Sequence, residues 1–124
     1  MPDSASRAPR RCPVAKVEEV PPGGRKLVDV DGRSIGVFNV RGTLVAAHNV
    51  CPHEGAPVCR GRVSGTTLPS PAGEFRWGRD GEILSCPWHG WEFDLLTGVA
   101  LADARRHLRR YPVTVEGDTI FVTI

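Results

Sequence analysis

Two short motifs constrain this chain more than anything else in it: Cys51-Pro52-His53 and Cys86-Pro87-Trp88-His89. Each couples one thiolate donor with one imidazole donor, and a glycine follows close behind, Gly55 in the first and Gly90 in the second. Two sulfur and two nitrogen ligands suit either a tetrahedral zinc ion or an iron–sulfur cluster of mixed ligation. Zinc motifs usually place the two cysteines together on one local turn and the two histidines on another. Here both pairs mix the donor types and 32 residues separate His53 from Cys86, which favours the iron–sulfur reading. A fold that serves such a site presents each pair at a loop tip, with strands fixing the distance between the tips.

The motifs, in this order and spacing, resemble those of the Rieske family. Its [2Fe–2S] cluster has one iron held by two cysteines and the other by two histidines. The resemblance covers most of residues 14–124. It implies an all-β Rieske iron–sulfur fold, an antiparallel β-sandwich base with a small two-loop cluster-binding subdomain. It also implies one [2Fe–2S] cluster per chain, with Cys51 and Cys86 on the inner iron and His53 and His89 on the outer, more exposed one. No catalytic residue is expected. Two thiolates leave an oxidised cluster neutral, whereas four leave it doubly negative and harder to reduce. Histidine ligation therefore raises the potential from about −400 mV to a window of roughly −150 to +300 mV.

Within that window the resemblance points low. High-potential members follow the second histidine with Gly-Ser-x-Tyr, whose hydroxyls donate to cluster and cysteine sulfur. The corresponding residues here are Gly90-Trp91-Glu92-Phe93, without a hydroxyl at Trp91 or Phe93. Those members also tie their loops by a disulfide, where this chain has Ala56 and Trp88. Fewer donors stabilise the reduced state less. A ferredoxin-type potential of about −150 to 0 mV is expected.

The rest of the chain supplies short strands and turns. Fourteen glycines and eleven prolines in 124 residues match many turns and one domain. Apolar alternation predicts strands near 14–20, 26–30 and 34–40, with Asp31-Gly32 and Arg41-Gly42 as hairpin turns between them. Thr43 to His48 is a further strand running into the first pair, and Ile83-Leu84-Ser85 leads into the second. Trp91 to Asp94 and a Thr97-Gly98 turn leave it, and a hairpin of Pro112–Val115 and Thr119–Ile124 closes the chain around Glu116-Gly117-Asp118. Leu101 to Arg109 has room for a turn but no amphipathic helix. Residues 1–11 read as a disordered tail and 12–124 as the domain, with cluster-binding loops at about 49–60 and 84–95.

Composition excludes several function classes. The formal charge of +2 argues for neither nucleic acid nor a membrane surface, and no run approaches the roughly 18 apolar residues of a membrane span. No signal-peptide core follows Arg10-Arg11, so the expectation is a cytoplasmic protein. Cys12 and Cys59 are left as spare thiols, Cys59 as a small buried residue beside the first loop. His48 and His107 read as surface or packing residues, and Trp88 and Trp91 as shields against water.

The resemblance implies a one-electron carrier between a flavin-dependent reductase and a terminal oxygenase or similar acceptor. Alternatives are a small electron-transfer subunit of a multi-component oxygenase or nitrite-reductase-like enzyme, or a redox-sensing module. An oxygenase needs an additional iron site of two histidines and a carboxylate, and only His48 and His107 remain for it. The stretch between the motifs is long for the family, and its excess reads as an inserted hairpin at about 64–82. That hairpin is an exposed loop or, through Trp77 and its arginines, a docking element. The run from Arg105 to Arg110 is a solvated face or a patch that steers an acidic partner.

Overall fold

The computed structural model describes residues 9–52, 55–68, 76–87 and 91–124. Among the described residues ten antiparallel strands build three small sheets. The first sheet pairs β1 (Arg11–Lys16), β10 (Thr119–Thr123) and β9 (Val113–Glu116) in that order. The second orders β2 (Arg25–Val30), β3 (Arg33–Val40), β4 (Thr43–His48) and β8 (Arg110–Tyr111). The third orders β5 (Arg62–Leu68), β6 (Arg76–Ser85) and β7 (Glu92–Asp94).

The second sheet is the middle layer. Ile35 and Val37 of β3, with Ala46 of β4, pack with Ile120 and Val122 of the first sheet. The alternate residues Phe38 and Val40, with Val45 and Ala47, pack instead with Leu84 and Phe93 of the third sheet. A strand covered on both faces buries nearly every side chain, so Ile35 to Val40 is buried throughout rather than alternately, with Asn39 its one polar side chain. The first two sheets form the sandwich base, and the third carries the subdomain above it. Asp31-Gly32 and Arg41-Gly42 make the hairpin turns expected of them, with positive φ at all four residues, the I′ geometry that matches strand twist.

The first strand departs from expectation. It runs from Arg11 to Lys16 rather than near 14–20, and residues 17–19 form a single 3-10 turn. Its start is set at the far end of the sequence: Arg10 and Ile124 exchange both backbone hydrogen bonds, at 3.0 and 2.9 Å. Its end is set by the Glu19 carboxylate, which accepts the Lys16 N–H at 2.8 Å and closes the turn. Arg10 and Arg11 therefore belong to the folded body and not to the tail expected over 1–11; residues 1–8 lie outside the described residues. The short β8 was not anticipated either. It pairs with β4 before Pro112, and the chain then passes to the first sheet as β9.

The stretch expected as a hairpin at about 64–82 falls within the pairing of β5 with β6, whose tip at 69–75 lies outside the described residues. Between the pairs Ser64↔Ile83 and Thr66↔Gly78 the register shifts, so that residues 79–82 of β6 stand opposite Gly65. Glu82, in this bulge, reaches Arg41 of the β3–β4 turn at 3.7 Å and offers its carbonyl to the Leu95 N–H at 2.8 Å. Trp77 and Arg79 fall on β6.

Candidate metal centre

β4 ends at His48 and delivers Cys51 three residues later; β6 ends at Ser85 and delivers Cys86 directly. The two loops then close in the same way. The Cys51 N–H donates to the carbonyl of Ala56, and the Cys86 N–H donates to the carbonyl of Trp91, both at 2.7 Å and both five residues ahead. In the first loop Gly55, at φ +76°, also returns its N–H to the Cys51 carbonyl at 2.8 Å. Cys51 and Cys86 are almost fully buried, at 1% and 3% exposure, within the apolar core that the middle sheet shares with the third.

The loops meet at Gly61. This residue follows the 3-10 turn Val58–Arg60, and a Cβ there would overlap the Ser85 carbonyl, immediately before Cys86. Only glycine permits that approach, and the Arg62↔Ser85 pairing continues from it. The end of the first loop is thereby fixed against the start of the second.

Polar side chains anchor the first loop from below. Arg25 of β2 donates Nη1 to the carbonyls of Cys59 and Gly61, at 2.8 and 2.5 Å, while its guanidinium lies over the Phe38 ring at 5.5 Å. Asn49 accepts the Cys59 N–H at 2.7 Å and donates Nδ2 to the Ser34 hydroxyl at 3.1 Å. Cys59 is fully buried; its thiol lies 3.5 Å from the Ala47 carbonyl and against β3 at Gly36, where a Cβ would come within 2.7 Å of the sulfur. Burial raises the Cys59 pKa to about 12, outweighing a backbone hydrogen bond at Gly36 and the charge of Arg25, so it stays a thiol at neutral pH. Neither Arg25 nor Asn49 stood out in the sequence.

The second loop rests on rings instead. Trp91 stacks on Phe93 with centroids 6.5 Å apart and 28° between planes, Phe93 is fully buried, and the Arg106 guanidinium covers Trp91 at 5.5 Å. His53, Glu54, Trp88, His89 and Gly90 lie outside the described residues. His48 and His107 are both elsewhere. The His48 ring meets the Tyr111 hydroxyl at 3.3 Å, and His107 is exposed with its ring Nδ1 3.4 Å from the Leu108 carbonyl. Burial, followed by the charges of Arg109 and Arg33, holds His48 below the usual imidazole pKa, so it is neutral at pH 7.

The fold and these loops define a class: a small all-β metalloprotein with two cysteine-led loops, fixed side by side over a sandwich. Residues 10–112 match the Rieske [2Fe-2S] domain, and the chain belongs to that family. Its cofactor is one [2Fe–2S] cluster. It is 33% identical over 114 residues to the 3-phenylpropionate/cinnamic acid dioxygenase ferredoxin subunit of Shigella boydii, covering 91% of this chain and 90% of that one. It is 30% identical over 107 residues to the ferredoxin component of the naphthalene 1,2-dioxygenase system of Pseudomonas aeruginosa, covering 86% and 88%. Among solved structures, the ferredoxin of carbazole 1,9a-dioxygenase from Nocardioides aromaticivorans IC177 superposes with a TM-score of 0.70 at 26% identity, covering 90% of this chain and 95% of that one.

The described residues fit the cluster. A thiolate removed from water into apolar surroundings needs a compensating cation, and two such thiols open two matched loops here. No helix among the described residues is long and apolar enough to cross a membrane.

Proposed function

We propose that this chain is a one-electron carrier that takes an electron from a flavin-dependent reductase and delivers it to a terminal oxygenase. Cys51 and Cys86 hold the inner iron, and His53 and His89 hold the outer one. The bound cluster supplies one-electron oxidation and reduction. The protein's part is to fix the ligands so that little rearranges between the two states. Arg25 and Asn49 hold the first loop, the Trp91–Phe93 stack holds the second, and Gly61 sets their separation. The matched closure of two cysteine-led loops carries this reading, supported by relatives named as ferredoxin components of dioxygenase systems.

The polypeptide offers no hydroxyl at Trp91 or Phe93, and Phe93 faces the core, so the potential falls at about −150 to 0 mV. Cys12 and Cys59 carry thiols rather than a disulfide, in keeping with a reducing cytoplasm. Stopped-flow mixing of the reduced protein with the oxygenase component of such a system tests the assignment. Oxidation of the cluster with single-turnover product supports a carrier. Binding that depends on redox state without transfer contradicts it and indicates a sensor.

A further inference from the structure

The basic run near the C-terminus divides in the fold. Arg105 and Arg106 turn to Asp103, at 3.1 and 3.8 Å. Arg110 donates to the carbonyls of Leu95 and Leu96, at 3.4 and 2.5 Å. Arg109 lies over the Tyr111 ring at 5.4 Å and lines a cavity of about 600 Å³, together with Arg10, Arg33 and Arg110. Asp31 is the one acidic side chain in that lining, and it is already ion-paired to Arg10. Ile124 also lines the cavity, and its terminal carboxylate oxygen accepts the Arg10 N–H at 3.0 Å. Among the described residues no carboxylate pairs with Arg33 or Arg109.

Three properties converge on a ligand. The cavity has the volume of small-molecule sites, roughly 300–1,000 Å³. Planar guanidinium forks match the geometry of carboxylate and phosphate oxygens. Arg109 and Arg33 also lie near enough to His48 that their charges add to the effect of burial in pushing its imidazole toward the neutral form.

We propose that this cavity binds a small, multiply charged oxyanion, a di- or tricarboxylate or a phosphate ester, held by Arg33 and Arg109 with Tyr111 as its wall. Arg10, ion-paired to Asp31, and Arg110, which donates to the Leu95 and Leu96 carbonyls, complete its basic lining. Arg33 opens β3 at the end of the middle sheet from which β4 leaves for Cys51, so an occupant would cancel positive charge on the flank of the first loop.

Isothermal titration calorimetry of the cluster-loaded protein, at fixed ionic strength, tests this with citrate, pyrophosphate and inorganic phosphate. Saturable one-to-one binding of at least one probe is expected, weakened about tenfold or more by Arg33→Gln and by Arg109→Gln and unchanged by Arg105→Gln. An unaltered EPR spectrum of each reduced variant shows that the fold and cluster persist, so the outcome is separate from the assignment as an electron carrier. Absence of saturable binding by all three probes overturns the proposal. So does binding that the Arg33 and Arg109 variants leave intact, or a glutamate-rich peptide that binds where all three probes fail.

Discussion

The two cysteine-led loops close with the same backbone bond, yet they are supported by different physics. The first rests on polar contacts from the middle sheet and the residue that follows β4: two carbonyls on one Arg25 guanidinium and one N–H on Asn49. The second rests on a hairpin and a ring stack, Trp91 on Phe93, over the same core. Polar anchors are directional and fail when one partner is removed, because the group left behind is buried and unpaired. Apolar supports are non-directional and fail in proportion to the volume removed. Similar loops can therefore be uncoupled by different substitutions.

The largest expected effect is on the apolar side. Phe93→Ala removes a fully buried ring beneath the second loop and should cost about 3–5 kcal/mol in denaturant unfolding, with cluster content falling in the purified protein. A loss below about 1 kcal/mol would show that the stack does not support this loop. Next comes Arg25→Ala, which leaves the carbonyls of Cys59 and Gly61 without their donor. A loss of about 2–3 kcal/mol is expected, with part of it restored by Arg25→Lys and with faster cluster release from the reduced protein. Equal stability of wild type and Arg25→Ala would remove the distinction between the loops.

A smaller effect lies at alkaline pH. Cys59 ionises near 9 in the unfolded chain and near 12 in the fold, so above pH 9 the native state keeps a proton that the unfolded state has lost. Its contribution to stability is intact below pH 9 and declines as the pH rises from there toward 12, by about 1.4 kcal/mol at pH 10. Unfolding curves at two pH values either side of 9 should show this decline in wild type and a shallower one in Cys59→Ala. Parallel declines would place the alkaline sensitivity in other groups.

The parts that were legible in the sequence are those with a local cause. The turns at Asp31-Gly32 and Arg41-Gly42 announce themselves in two residues, and Cys51 and Cys86 open loops that follow strands, as their spacing implies. What was not legible depends on distant partners. Arg25 is one of sixteen basic residues, and only the tertiary fold brings it under carbonyls 34 and 36 residues away. Gly61 looks like any loop glycine until the Ser85 carbonyl is placed against it. The start of β1 is fixed by Ile124, at the opposite end of the chain, so alternation within the first twenty residues misplaced it.

The central claim is mixed ligation: two cysteines on one iron and two histidines on the other. EPR of the dithionite-reduced protein, with iron and sulfide analysis on the same sample, tests it most directly. The account predicts two irons and two sulfides per chain, to within about a tenth, and the spectrum of a histidine-ligated Rieske centre, lost in His53→Ala and in Cys86→Ala. Bound zinc without iron or sulfide, or the signal of an all-cysteine cluster, would contradict it.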